Sequence, residues 1–185
     1  MTDLIIENRI KNVLPQPLYY FVKEKIMGWE FPWSFLSNRL YSNNPVNTAD
    51  EKEKNYTLHH NVFRDNQICS PFFDLTNSIA LLLQNSFNLN ETSIQRLRWT
   101  MNTNSSDGKK DTPHIDDNSP HKVILYYLND SDGDTYFYSN QKDKIINSIT
   151  PEKNSAIMFD GSVMHSGSKP IEYARRIVLN INLTY

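Results

Sequence analysis

His114-Ile115-Asp116 sets an imidazole and a carboxylate two positions apart, and a second imidazole, His165, follows far downstream in Val163-Met164-His165-Ser166-Gly167. On a strand, side chains alternate in direction, so His114 and Asp116 are expected to project to one side and Ile115 and Asp117 to the other. Two histidines and one carboxylate capping one face of an octahedron leave three positions open, the donor set of non-haem Fe(II) sites that activate O2. Two of those positions suit a bidentate keto acid and the third suits O2. A dicarboxylic cosubstrate also needs a cation for its far carboxylate. Arg175-Arg176 offers one, because the guanidinium fork donates two parallel hydrogen bonds to a carboxylate. If Ile177, Leu179 and Ile181 face outward, then Arg176, Val178, Asn180 and Asn182 face inward. Arg176 is therefore the favoured residue, with Arg175 as the alternative.

An isolated His-x-Asp is a weak signal and is more often a surface turn. His59, His60 and His121 have no carboxylate two positions on and are read as strand or loop residues. Asp117 is expected to stabilise the turn before Pro120. Asp130-Ser131-Asp132-Gly133-Asp134 has its glycine misplaced for a calcium loop and is read as a hairpin turn. Arg96 and Arg98 alternate on a β-like run upstream. They either reach toward substrate or cosubstrate or form the solvated face of an edge strand.

The elements that must position these residues are legible in outline. After Pro15 and Pro17, the spacing of Leu18, Phe21, Val22 and Ile26 predicts a helix that ends at Gly28. Ser70 as N-cap and Pro71 in the first turn open a second, with Phe72, Leu75, Ile79, Leu82 and Leu83 as its apolar stripe. Between them, Tyr56–Phe63 reads as a strand and the polar stretch 42–55 as a solvated segment. From Thr92 on, short β-like runs alternate with polar turns: 92–101, 122–128, 135–138, 144–149, 155–159 and 175–183. Helices followed by many short strands predict a mainly β, α+β fold with the helices packed on one sheet of a jelly roll.

At 185 residues the chain suits one domain, 1–185, with a helical support region over 1–91 and a catalytic core over 92–185. A net charge of −2 provides no basic field, which disfavours nucleic acid as a partner. One cysteine, Cys69, forms no internal disulfide and points to a reducing compartment, the cytoplasm by default. No stretch is apolar for long enough to predict a membrane helix.

The ordered set HIDD, KVILYYLN, DGDTYF, ITPEKNSAIMF, MHSGSKP and RRIVLNINL resembles the double-stranded β-helix core of the Fe(II)- and 2-oxoglutarate-dependent dioxygenases, in particular the prolyl-hydroxylase-type branch. The resemblance spans roughly 92–185. It implies a jelly-roll, cupin-like core, with iron on His114, Asp116 and His165 and with 2-oxoglutarate met by Tyr127 and by the late arginine, Arg176 or Arg175. The cofactors it implies are Fe(II), 2-oxoglutarate as cosubstrate and ascorbate as a candidate reductant. The reaction it implies is hydroxylation of an unactivated C–H bond in a peptide or small molecule, releasing succinate and CO2. Asp132 before the glycine of Gly133-Asp134-Thr135-Tyr136-Phe137 departs from the family's usual Gly-Gly. Two competing readings are a non-catalytic jelly-roll binding module and a metallo-cupin dioxygenase that does not use 2-oxoglutarate. The sequence leaves the oligomeric state open, and with it the role of residues 31–55 as a substrate lid.

Overall fold

Alternation along the last strand organises the molecule. In β11 (Arg175–Thr184), Ile177, Leu179, Ile181 and Leu183 join an apolar cluster on one side of the sheet, whereas Val178 joins a separate cluster on the other. A strand buried on both faces reads as a continuous apolar run, and here two asparagines and an arginine interrupt the inner face. Those interruptions face the site described below.

The computed structural model describes residues 8–37, 56–139 and 144–185. The polar stretch 42–55, and with it most of the 31–55 segment whose role as a lid the sequence leaves open, lies outside the described residues. In chain order the elements before β11 are β1 (Asn8–Lys11), α1 (Gln16–Met27), β2 (Ser34–Ser37), β3 (Tyr56–Arg64), β4 (Gln67–Ile68), α2 (Phe73–Ser86), β5 (Ser93–Thr103), β6 (His121–Tyr127), β7 (Thr135–Tyr138), β8 (Ile145–Ile149), β9 (Ser155–Asp160) and β10 (His165–Gly167). The larger sheet runs β1-β9-β6-β11-β5-β3-β2 with β4 paired to β3, and the smaller runs β10-β7-β8. Every pairing is antiparallel. Among the described residues the result is a jelly roll, mainly β with two helices. The 1–91 region also contributes strands to the large sheet, since β3 pairs with β5 and β1 with β9.

Both helices cover the outer face of the large sheet. Tyr19, Val22 and Ile26 of α1 and Ile79, Ala80 and Leu83 of α2 pack with Leu97, Trp99, Ile124, Tyr126 and Leu179. Trp99 is fully buried, and its indole N–H donates to Thr76 Oγ1 at 3.1 Å. That contact satisfies the polar end of an otherwise apolar side chain. The inner face holds Val123, Leu125, Tyr127, Phe137, Ile157, Phe159 and Val178.

Three local expectations are corrected. The buried stripe of α1 is Tyr19, Val22 and Ile26, leaving Leu18 and Phe21 40% and 48% exposed, because the sheet meets the helix about a sixth of a turn from the centre of the predicted stripe. Ser70 is not the N-cap of α2: the helix starts at Phe73, and Ser70 Oγ accepts from Phe72 N while bonding His60 Nε2 at 2.7 Å. His114 and Asp116 do not lie on the expected strand: 112–120 is irregular apart from a single bridge at His114, and β6 begins at His121.

The link between α1 and the core depends on Asn154. Its Oδ1 accepts from Leu14 N at 2.9 Å and from the Tyr126 hydroxyl at 3.1 Å, and its Nδ2 donates to Leu14 O at 2.8 Å. The residue also occupies the left-handed region at φ 54°, which asparagine tolerates better than most residues. Asn154→Ala is expected to cost about 2–3 kcal/mol of unfolding free energy, read by urea denaturation, because it strands two buried donors and an acceptor. A change below about 0.5 kcal/mol, the range of an ordinary surface substitution, contradicts that role.

Candidate metal centre

Backbone, not side-chain alternation, brings the two histidines together. His114 N donates to His165 O and His165 N donates to His114 O, both at 2.9 Å, forming one antiparallel bridge between an irregular segment and β10. Pro113 and Pro120 limit ladder formation over 112–120. Asp117 Oδ1 then closes the turn by accepting from the backbone N–H of Ser119 at 2.7 Å and from its hydroxyl at 2.6 Å. Asp116 therefore reaches the histidines from a turn.

His114, Asp116 and His165 each offer one donor atom, all within 4.8 Å of one another. His114 Nε2 lies 3.8 Å from Asp116 Oδ1, and His165 Nε2 lies 4.0 Å from Asp116 Oδ2. The tautomers follow from the other ring nitrogens. His114 Nδ1 faces Thr112 O and His165 Nδ1 faces Val163 O, each at 3.0 Å. A carbonyl only accepts, so both Nδ1 atoms carry hydrogen and both Nε2 lone pairs are directed at the shared space. Burial and the neighbouring His165 lower the His114 pKa to about 4, and burial lowers that of His165. Both rings are thus neutral, the form that binds a metal.

Asp116 is almost fully buried, with 1% of its side chain exposed. Burial works to raise its pKa, but Arg96, His165, Arg98 and His114 outweigh it and hold the carboxyl well below the usual range. Arg96 stands 2.7 Å from Oδ1 as an ion pair, in a geometry too oblique to count as a directed hydrogen bond. Arg98 lies 4.0 Å from the same oxygen, and Asn180 Nδ2 donates to Oδ2 at 2.9 Å. With its amide nitrogen turned to the acceptors, Asn182 donates to Asn180 Oδ1 at 2.6 Å and to Asp116 Oδ2 at 3.2 Å and accepts from Arg96. A cavity of about 90 Å³, lined by Arg64, Asp65, Gln95, Arg96, Asp116, Asp117 and Asn182, opens beside this carboxylate.

Deeper between the sheets, Arg176 is 5% exposed and donates to Thr135 Oγ1 at 2.7 Å. Thr135 Oγ1 in turn bonds the Tyr127 hydroxyl at 2.8 Å. The guanidinium carbon lies 5.8 Å from the Tyr127 ring centroid, and the Arg176 Nε is buried without a partner. Gly133 leaves room for this arrangement: a Cβ there would come within 2.6 Å of Ser168 O and 3.1 Å of the Arg176 stem. Arg175 is half-buried on the opposite side of the strand, and its carbonyl accepts from Asn129 Nδ2 at 2.8 Å. Asp132 accepts from the backbone N–H groups of Ile171, Glu172 and Tyr173, and so serves as a structural cap. Buried Asp111, whose carboxyl burial pushes up, bonds Asn102 at 3.3 Å and faces Arg176. Sequence reasoning passed over Thr135, Asp111 and Asn102; of these only Asn102 carries a signal, its register opposite Arg176.

The donor set fits a divalent iron: two neutral imidazoles and one ionised carboxylate, with the buried, partly unpartnered Arg176 cradle nearby. The comparisons point the same way. Residues 99–184 match the 2OG-Fe(II) oxygenase superfamily, a family that uses Fe(II) and 2-oxoglutarate. No curated protein sequence matches. The fold is similar to that of a prolyl hydroxylase from Trichoplax adhaerens, solved with a hypoxia inducible factor peptide fragment, at TM-score 0.62 and 18% identity over 96% of this chain and 82% of that one. A 2OG-Fe(II) oxygenase family oxidoreductase from Burkholderia pseudomallei gives TM-score 0.68 at 10% identity, covering 94% and 82%. The epimerase SnoN of nogalamycin biosynthesis gives 0.64 at 11%, covering 95% and 75%. Residues 99–184 are thus similar in sequence to the 2OG-Fe(II) oxygenase superfamily, and the fold as a whole is similar to that of prolyl hydroxylases and 2OG-Fe(II) oxygenases.

Among the described residues no helix is long and apolar enough to cross a membrane.

The buried histidines set an acid limit on stability. Burial, with Arg98 and Arg96 nearby, lowers the His59 pKa to about 3, and that of His114 is about 4. Both rings stay neutral in the folded chain at mildly acid pH but titrate near 6.5 when unfolded. Unfolding therefore takes up protons, and stability that is complete above about pH 6.5 is lost as pH falls toward 4. The metal-free protein is expected to lose up to about 2.7 kcal/mol per pH unit in the steepest part of that window, from two groups. Urea midpoints that stay level between about pH 7 and 4.5 contradict this.

Proposed function

We propose that the protein is an Fe(II)- and 2-oxoglutarate-dependent hydroxylase in which His114, Asp116 and His165 hold the iron. The observation that carries the reading is the convergence of two neutral imidazoles and one ionised carboxylate on a common space next to a buried arginine. When bound, the iron with 2-oxoglutarate and O2 supplies the oxidising power, converting the keto acid to succinate and CO2 and a substrate C–H bond to C–OH.

The protein's own contribution is positioning and exclusion of water. Thr112 and Val163 carbonyls fix both ring tautomers and ring planes. Arg96, Asn180 and Asn182 hold the carboxylate ionised and in one orientation, as outer partners of metal ligands do. Arg176, with Thr135 and Tyr127, takes the far carboxylate of 2-oxoglutarate, since its guanidinium is buried, cationic and short of one partner. Phe159, stacked edge-on to His165 at 4.8 Å between centroids, and Phe137 keep the floor of the site dry. A dry site protects a reactive oxidant from side reactions. The peptide held by the Trichoplax enzyme makes a peptide side chain one substrate class for this reading, and a small molecule is the other.

Purified protein is expected to form succinate only with Fe(II), O2 and 2-oxoglutarate together. Arg176→Ala should raise the KM for 2-oxoglutarate by about 100-fold, the scale of losing a buried charge-assisted pair, whereas Arg175→Ala should change it less than threefold. The reverse pattern would reassign the cosubstrate cation, and succinate-free turnover of an oxidised product would favour a metallo-cupin that does not use 2-oxoglutarate.

A further inference from the structure

The inner wall of the large sheet changes character beside the metal centre. On β6 and β9 it presents Val123, Leu125, Ile157 and Phe159 to the apolar interior. On β5 and β3 the same face carries Arg96, Arg98, Thr100 and His59, since Asn182 pairs with Arg96, Asn180 with Arg98, Val178 with Thr100, and Thr100 with His59. Cross-strand partners share a face, so a polar strip runs from Asp116 toward the sheet's far edge.

Two features of this strip ask for a ligand. His59 is 5% exposed, its Nδ1 lies 3.2 Å from Thr100 Oγ1, and its Nε2 is buried with no hydrogen-bond partner. Such an atom is destabilising unless something meets it. Arg96 and Arg98 both converge on Asp116, at 2.7 and 4.0 Å. Once that carboxylate also shares a divalent ion, the corner is positively charged. The lowered His59 pKa keeps its ring neutral, so Nε2 serves as one donor rather than a third cation.

We propose that Arg98 and His59 form a subsite for a carboxylate of the substrate, held next to the iron so that a neighbouring C–H bond is the one oxidised. The inference rests on the oxygenase reading and narrows its substrate class. 2-Oxoglutarate does not account for this strip. Its far carboxylate has Arg176, which pairs with Asn102, and Arg98 lies four residues further along β5, roughly 13 Å away at strand spacing. One guanidinium fork and one imidazole N–H match a planar carboxylate, whereas a phosphate has three oxygens to satisfy. A free amino acid and an acidic residue within a peptide share this chemistry.

The test titrates full-length protein, loaded with redox-inert Zn(II) and 2-oxoglutarate, with free L-amino acids, their carboxamides, and short peptides with an internal Asp or Glu. Calorimetry gives affinities, and succinate release is followed on the Fe(II)-loaded protein. A carboxylate probe is expected to bind about 100-fold more tightly than its amide. Arg98→Gln should erase that difference, Arg98→Lys should restore part of it, and His59→Phe should weaken the acid about tenfold. Preference for free amino acids or for acidic peptides identifies the source, and either supports the subsite. Equal binding of acid and amide overturns it, as does the absence of binding by every probe. A loss of 2-oxoglutarate affinity in Arg98→Gln matching that for the acid assigns Arg98 to the cosubstrate and overturns it too. If the unmodified protein gives no Fe(II)-dependent succinate, the oxygenase reading fails, and the acid-against-amide comparison still decides the subsite.

Discussion

A carboxylate removed from water is stable only if its charge is matched and its lone pairs are met. Asp116 has its charge matched by Arg96 and Arg98 and its Oδ2 met by Asn180 and Asn182, while Oδ1 receives no directed hydrogen bond and faces the position a metal would take. None of these four is adjacent to it in sequence. β5 and β11 must be formed and in register before Asp116 has a place to sit. The proposed metal centre is therefore a product of the large sheet's pairing, and any shift of that register by one residue would turn the arginines and asparagines to the helix side.

The two faces of that sheet divide the labour. Outward, Leu97, Trp99, Leu179 and Ile181 bury under α1 and α2, which supplies the hydrophobic stabilisation. Inward, apolar packing is retained on β6 and β9 and given up on β5, where Arg96, Arg98 and Thr100 stand. Buried polar groups of this density are destabilising by themselves. Their concentration beside one carboxylate and two imidazoles supports a functional rather than a folding role for that end of the sheet.

Much of this was legible in the sequence. The β11 facing followed from Ile177, Leu179 and Ile181, and the inward set of Arg176, Val178, Asn180 and Asn182 came with it. The HIDD-to-RRIVLNINL order carried the family resemblance. Other features depend on tertiary partners that local pattern does not encode. The His114 segment has strand-like composition but is held by a single bridge to His165. The α1 stripe is rotated because the sheet, not the helix, decides which residues are covered. His59 looked like an ordinary strand residue, and only its pairing with Thr100 puts it on the inner face. Asn102 is brought to Arg176 by the β5–β11 register and Asp111 by the loop that precedes His114, neither of which a local pattern encodes.

Anomalous diffraction at the iron edge, on crystals grown anaerobically with Fe(II), tests the central claim most directly. One strong peak within coordination distance of His114 Nε2, His165 Nε2 and an Asp116 oxygen is the expected result. A peak elsewhere in the chain, or none at full Fe(II) loading, would contradict it.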